Sequence, residues 1–250
     1  MSRVAKLRLL VIVATVGVIE ALCRGGVIDA FTMIPPSQMV SGLLRVFGLP
    51  EMPRHIAQTL VNVAVTLVLA VVVGFIVGAV LFMLPRVRRV VDPLLASYYA
   101  IPIFVFYPLF IVLFGLNRYP QIAIGFLLAV VAMIINTLNG FDRVPSVLLK
   151  TARVLRMSRA AAIRRIILPY ATLYIMTGLK LAVAYSFIGV IAAEFILSGE
   201  GMGYEINFAY NNFDNRVMYP LILLIILIST AINMLLYAWE KRFLERQTGR

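Results

Sequence analysis

Six stretches of the chain, the first shorter than the rest, run with almost no charge and are candidate membrane-crossing helices. Leu9–Cys23 is apolar apart from Glu20. Ile56–Pro85, Pro93–Asn117 and Tyr119–Phe141 contain no Asp, Glu, Lys or Arg. Ile166–Ser198 is interrupted only by Lys180 and Glu194, and Val217–Trp239 is again free of charge. A helix needs about 20 such residues to cross the hydrocarbon layer. Only helices and closed barrels satisfy their own backbone hydrogen bonds in lipid. Barrel strands alternate polar and apolar positions, and Leu221-Ile222-Leu223-Leu224-Ile225-Ile226-Leu227 does not alternate. The pattern predicts an all-α transmembrane chain, one domain over 1–250, with spans near 8–23, 57–84, 93–116, 120–139, 168–197 and 218–239. The first stretch also has the build of a signal peptide. Glu20-Ala21-Leu22 ahead of Cys23 lacks the small residues of a cleavage site, so it reads as a retained anchor helix.

Composition agrees. Hydrophobic residues make up 62% and charged residues 14%, with a mean hydropathy of +0.97. That leaves too little polar surface for a water-facing globule and too much apolar surface for disorder. Cys23 is the single cysteine, which excludes an internal disulfide framework. The net charge of +12 raises the question of nucleic acid, and the placement of the cations answers it. With both termini cytoplasmic, 17 of the 23 Lys and Arg fall on the inner side, five fall outside, and Lys180 lies within a span. That bias follows the positive-inside rule. The charge is spread over four loops, with no basic helix interleaved with aromatics, so no nucleic-acid partner is expected; lipid is.

The loops carry more than connection. The outer segment Arg24–Gln58 contains Ile34-Pro35-Pro36-Ser37, an extended turn ahead of a short helix with Ser37 as its cap. The outer segment Ser198–Met218 holds Gly199, Gly201 and Gly203 at alternate positions. Such a run is either a flexible loop or a sharply bent backbone lying close to another surface. The inner segment Gly140–Pro169 carries seven cations and reads as two short amphipathic helices near 146–166. Ser146 would cap the first, a break falls at Arg156-Met157-Ser158, and Ser158 would cap the second before Pro169 opens the next span. The plain alternative is a helix held on the membrane surface by anionic lipid.

Ionisable residues within spans are costly and face protein or water. Lys180 and Glu194 are about 21 Å apart on one helix and cannot pair with each other. Each either snorkels to its nearer interface or serves a pathway or gate, Glu194 beside the glycine run. Glu20 lies near the outer end of its span and reads as interfacial. Pro93, Pro102 and Pro108 make the third span irregular, and its freed carbonyls place it inside the bundle. The aromatics Tyr98, Tyr99, Phe104, Phe106 and Tyr107 either border a path or pack. Gly74-x-x-x-Gly78 permits close helix packing. No phosphate-cradling glycine loop is present, so no nucleotide cofactor is expected in this chain. His55 is the only histidine and reads as an interfacial residue; no catalytic set and no metal site is expected.

Taken in order, these features resemble the permease subunits of bacterial ABC importers of the binding-protein-dependent class, in the subfamily for sulfonates, taurine and nitrate. The family's cytoplasmic E-A-A, three residues, G, nine residues, I-x-L-P is matched in spacing by Lys150-Thr151-Ala152, Arg156 and Ile166-Ile167-Leu168-Pro169. Ile34-Pro35-Pro36-Ser37 is similar to its L-P-P-P/S. Asp92-Pro93, Pro102, Pro108 and Phe114-Gly115 are similar to its proline-broken third helix. Thr177-Gly178-Leu179-Lys180 is similar to T-G-L-R, and Ala192-Ala193-Glu194 with Gly201-x-Gly203-Tyr204 to A-A-E and G-L-G-Y/F.

The resemblance implies a six-helix type I ABC importer permease fold in the bacterial cytoplasmic (inner) membrane. It implies uptake of a small nutrient such as a sulfonate, taurine or nitrate. The implied partners are cytoplasmic ABC ATPase subunits, which hold the ATP and Mg, a second permease chain, and an extracytoplasmic substrate-binding protein. A homodimer is expected, with a heterodimer as the alternative. Lys150, Thr151, Ala152, Arg156, Ser158, Ile166, Leu168 and Pro169 would couple to the ATPase. Glu194, Lys180, Gly201, Gly203, Pro102 and Pro108 would belong to the pathway or gate. Three positions depart from the motif, with Thr151 in place of its first Ala. Lys150 replaces a Glu, and Arg156 replaces a Gly whose left-handed backbone would cost another residue about 1–2 kcal/mol, so the turn is expected to move toward Met157-Ser158. The rival readings are a secondary transporter independent of ATP, which would need coupling-ion sites and repeats, a non-coupling partner chain of a heterodimeric importer, and a membrane enzyme.

Overall fold

A computed structural model describes residues 3–248, and within them every regular element is a helix. Arg250, counted above among the inner cations, lies outside the described residues. The helices are α1 (Arg3–Arg24), α2 (Pro36–Phe47), α3 (Met52–Met83), α4 (Pro85–Ser97), α5 (Tyr107–Phe114), α6 (Tyr119–Asp142), α7 (Ser146–Val154), α8 (Arg159–Ala162), α9 (Leu168–Leu197), α10 (Met202–Asn211) and α11 (Asn215–Thr248). Prolines stand in the first two positions of α2, α3, α4, α5, α6 and α9. Where such a helix starts afresh a missing N–H costs nothing, because the first turn has no intrahelical partner to offer it; α9 continues an earlier helical stretch and is the exception.

Met52–Met83, Tyr119–Asp142, Ile163–Ile196 and Asn215–Arg242 are long and apolar enough to cross a membrane. A fifth crossing is available if Pro85–Ala100 and Ile103–Phe114 form one broken span. The helix α1 is 22 residues long and carries Lys6, Arg8 and Glu20 along its apolar run. The centre of the bundle is α6, 67% of whose apolar window is buried, against 11% for α11. It packs on α3 where Gly74 meets Met133 and Gly78 meets Thr137, and on α9 where Gly125 meets Gly189 backbone to backbone. Small residues at each crossing let the helices approach closely enough for dispersion to replace the driving force that lipid does not supply.

The segment expected as a single third span is sharply bent. α4 starts directly after α3, so Arg86, Arg88 and Arg89 sit on a helix and not in a loop. The chain then turns by 90° between Ala100 and Ile103. Pro102 accounts for the bend: the residue before a proline is pushed out of helical geometry, and Ile101 is extended at φ −83°, ψ 121°. Nor does this segment lie inside the bundle. Only Ile103 and Tyr107 along it are buried, against Ile124 of α6 and Ala193 of α9, and no residue of α4 is. At the end of α4 the Ser97 hydroxyl donates to the Pro93 carbonyl. The rest of its apolar surface is left for whatever surrounds a single chain.

Candidate functional site: an inner elbow and an outer brace

At the end of the bundle expected to face inward, α6 stops at Asp142 and the chain folds into an elbow. Val144 is buried with Phe141, Ile167 and Ala171, which roots the elbow in the bundle. The Arg88 guanidinium donates to both oxygens of Asp142, at 2.7 and 2.6 Å, and to Asp92 at 3.3 Å. The Arg143 guanidinium lies 5.4 Å over the Tyr174 ring. The root is therefore tied to α4 and to α9 at once.

The helix α7 starts at Ser146 behind Pro145 with no side-chain cap, so Ser146 does not play the capping part expected of it. Its far end is closed by a Schellman arrangement. The Met157 N–H donates to the Ala152 carbonyl at 2.9 Å, and the Arg156 N–H donates to the Arg153 carbonyl at 3.0 Å. Such a cap needs a left-handed residue between, and Arg156 supplies it at φ 50°. The turn has not moved toward Met157-Ser158; Arg156 holds the strained backbone itself. Ser158 then caps α8, its hydroxyl accepting from the Ala161 N–H at 3.2 Å.

From α8 the helix runs on without a break. Ile163–Ile167 is a π-helical stretch that leads directly into α9. Pro169 explains it, since a proline ring collides with the carbonyl four residues back and a widened turn removes the collision. The elbow is thus mechanically continuous with a 30-residue helix of the bundle.

One face of α7 is fastened and the other is bare. Ala152 is buried and Leu149 packs toward Phe141 and Ile167. Val147, Val154 and Leu155 are 67%, 81% and 66% exposed and fall on one side of the helix with Thr151, flanked by exposed Lys150. The Thr151 hydroxyl is turned back on the Val147 carbonyl. Arg156 and Pro169 are exposed, while Ile166 and Leu168 are half-buried beneath the elbow. Of the residues singled out from the inner motif, then, Lys150, Thr151 and Arg156 face outward and Ala152, Ile166 and Leu168 hold the elbow down. Val147, Thr151, Val154 and Leu155, at helical spacing in the sequence, form the bare face, though none of the three apolar ones was expected among the coupling residues. Their signal was the apolar period along a cationic loop.

At the opposite end of the bundle, Glu194 is 1% exposed, shielded by protein on all sides. Its carboxylate accepts from the Thr59 hydroxyl at 2.7 Å, the Asn62 amide at 3.3 Å and the Gly203 N–H at 3.2 Å. Thr59 in turn accepts from the Met202 N–H, and His55 Nδ1 accepts from the Gly201 N–H. His55 Nε2 stands 3.1 Å from Glu205, so His55 is part of the network and not a bystander at the interface. Glu194 thereby caps the amino end of α10 and binds α3, α9 and α10 into one body. The alternating glycines now have a reason. Gly201 has φ 110°, and a Cβ there would land on the Glu194 carboxylate. A Cβ on Gly203 would strike the Ile191 carbonyl. Besides His55, expected at an interface, the residues Thr59, Asn62 and Thr66 belong here and carried no expectation from the sequence. With His55 these three form a polar stripe at helical spacing along the apolar α3, and all four are buried.

The remaining candidates are separated from this brace. Lys180 pairs with Glu240 of α11 and lies 5.6 Å over the Tyr237 ring. Pro102 forms the bend described above and Pro108 opens α5. An open, apolar groove of about 690 Å³ runs along α9 between Phe104, Phe187, Ile191, Phe195, Ile206 and Ile225. The Ser37 cap is also redistributed. Pro36 takes the first turn of α2, and Glu20 accepts from both the N–H and the hydroxyl of Ser37 while pairing with Arg24 at 2.6 Å. Among the described residues no group of three or more His, Cys, Asp or Glu comes together.

Comparison with known proteins adds the following. The profile of the family described as binding-protein-dependent transport system inner membrane component matches residues 70–248. The taurine transport system permease protein of Escherichia coli (strain K12) is 28% identical over 214 residues, 83% of this chain and 78% of that protein. The bicarbonate transport system permease protein of Synechococcus elongatus is 32% identical over 192 residues, 75% of this chain and 68% of that one. An inward-facing structure of the MetNI methionine ABC transporter superposes with a TM-score of 0.64 at 18% identity, covering 78% of this chain and 98% of the matched chain. That last likeness is one of fold.

Proposed function

This chain belongs to the binding-protein-dependent transport system inner membrane components, and from that premise we propose that it is the membrane-crossing subunit of an ATP-driven importer for a small nutrient of the sulfonate, taurine, nitrate or bicarbonate kind. The hydrolysis of ATP, with its Mg, belongs to partner ATPases on the cytoplasmic side. A soluble receptor delivers the solute outside, and a second permease chain completes the path in the inner membrane. The whole of 1–250 acts as one domain with six spans, α1 the first and the bent α4–α5 segment the third, and both termini are cytoplasmic. The inner excess of cations supports that orientation.

The observation that carries the reading is the elbow: a bare apolar face on α7, capped by a fixed turn and joined without interruption to α9. Exposed apolar side chains rimmed by charge mark a protein contact, and a rigid connection turns movement at that contact into movement of a span. Lys150, Thr151 and Arg156 meet the ATPase. Ala152, Ser158, Ile166, Leu168 and Pro169 keep the lever stiff. At the other end Glu194, Gly201 and Gly203 brace α10 as part of the outer gate, while Lys180 with Glu240, and Pro102 with Pro108, shape the helices that move.

The test is reconstitution. The chain purified with the ATPase encoded beside it is placed in liposomes with the receptor outside and ATP inside. Uptake that requires ATP and is lost in Val154→Asp/Leu155→Asp, together with the ATPase on co-purification, supports the reading. Uptake driven by an ion gradient without an ATPase overturns it.

A further inference from the structure

The short helix α2 has three distinct sides. Met39, Gly42, Leu43 and Val46 turn toward the bundle; Val46 is fully buried, and Gly42 meets the ring of Pro220 on α11. Val40, Leu44 and Phe47 form a second side and are 60%, 81% and 51% exposed. Gln38, Ser41 and Arg45 form the third, at helical spacing i, i+3, i+7. Together with Ile34, Gly42 and Arg216 at the start of α11 they line a polar cavity of about 360 Å³.

The charges in this cavity are unanswered. Of the other outer arginines, Arg24 pairs with Glu20, Arg54 with Glu51 and Glu200, and Arg118 lies over the Tyr119 ring. Among the described residues the guanidiniums of Arg45 and Arg216 have neither a carboxylate nor a hydrogen-bond acceptor. The nearest acid in sequence, Asp214, is turned to the Arg216 backbone N–H at 3.1 Å and caps α11. Two free guanidinium forks facing one cavity fit an oxyanion, and phosphate most closely.

We propose that this cavity holds the phosphate of an anionic membrane phospholipid, clasped by Arg45 and Arg216, with an acyl chain lying along Val40, Leu44 and Phe47. The cationic and apolar sides are neighbours on the helix, as the phosphate and chains are neighbours in a lipid. The helix α2 follows the apolar α1 and packs on the first turns of α11, so it sits where apolar helices reach a membrane boundary. An amphipathic helix with arginine on one side and Leu and Phe on the next lies in that plane. A free oxyanion, or the acidic face of a docking protein, would answer the arginines and leave the apolar stripe wet. A phospholipid answers both. The proposal needs only that α2 lies at a membrane boundary, and it stands whether or not the importer reading does.

The test is native mass spectrometry of the full-length chain in detergent, titrated with phosphatidylglycerol, against Arg45→Gln/Arg216→Gln, Leu44→Ser and the control Arg118→Gln. Millimolar inorganic phosphate is added in a parallel arm. All four positions are exposed, and size-exclusion profiles and helicity confirm that each variant folds. One lipid-binding event should weaken about thirtyfold in the double arginine variant, should weaken in Leu44→Ser, and should persist in Arg118→Gln and against inorganic phosphate. Equal lipid retention by the double arginine variant overturns the proposal. So does displacement of the lipid by inorganic phosphate, or lipid binding indifferent to Leu44→Ser; either result assigns the arginines to a soluble oxyanion or a protein face instead.

Discussion

Replacing Glu194 separates a bracing carboxylate from one that merely faces a path. In Glu194→Ala three donors lose their acceptor inside the protein: the Thr59 hydroxyl, the Asn62 amide and the Gly203 N–H. A buried donor left without a partner costs about 1–3 kcal/mol. Thr59 keeps the Met202 N–H as its own donor, and its hydroxyl can rotate, so the expected total is about 3–5 kcal/mol. Glu194→Gln keeps the size and one carbonyl oxygen for Thr59 and Gly203. Its new NH₂ meets Asn62, whose Oδ1 has no partner in the native fold. Rotating the Asn62 amide lets that oxygen accept from the glutamine, so Gln should cost about 1 kcal/mol or less. For a chain of this length each kcal/mol lowers the melting temperature by about 2–4 °C. Thermal unfolding of the detergent-solubilised chain should then fall by about 6–20 °C for Ala and by only a few degrees for Gln. Equal losses for the two variants, or none for Ala, would refute the assignment of Glu194 as the cap of α10.

Three further substitutions probe separate joints. Arg156→Gly removes the left-handed strain at the end of α7 at the cost of a more flexible unfolded chain, a net gain of about 0.5–1 kcal/mol; amide exchange across 152–157 should slow two- to fivefold, and faster exchange there would contradict the cap. Gly201→Ala meets both a positive φ and the Glu194 carboxylate, so it should lower stability by more than about 2 kcal/mol, read as lost yield of folded chain; a wild-type melting curve would show that the loop is slack. Lys180→Glu and Glu240→Lys should each reduce stability while the exchanged pair recovers at least half of the loss, since breaking a shielded pair costs more than the pair contributes; purely additive losses would mean that the two groups do not act on each other.

Much of this architecture is legible before any coordinates are known, for a physical reason. Hydrocarbon permits few solutions, so an uncharged run announces a helix, and the prolines and glycines mark where it starts, bends or touches a neighbour. Pro102 shows both the reach and the limit of that reading: the kink is evident in the sequence, but not that it turns the chain by 90° and leaves the segment at the bundle's edge. The inner elbow is visible from its cations and its apolar period. The persistence of the turn at Arg156 is not, because local propensity opposes it and the Schellman bonds from Arg156 and Met157 decide the matter. The outer brace was the least visible. Glu194 was noticed as an expensive residue, but its partners Thr59 and Asn62 lie more than 130 positions away. Nothing local in α3 tells a polar stripe that caps another helix from one that faces water. Lys180 found its partner in Glu240, beyond the uncharged run of the last helix, for the same reason.

The lever is best tested where it is bare. A photo-crosslinking amino acid placed at Val154, in the chain expressed with its neighbouring genes, reports what touches that face in the membrane. The account predicts a covalent adduct with a nucleotide-binding subunit, formed in high yield and altered in yield when ATP is trapped. An adduct with lipid alone, while solute uptake continues at its normal rate, would contradict it.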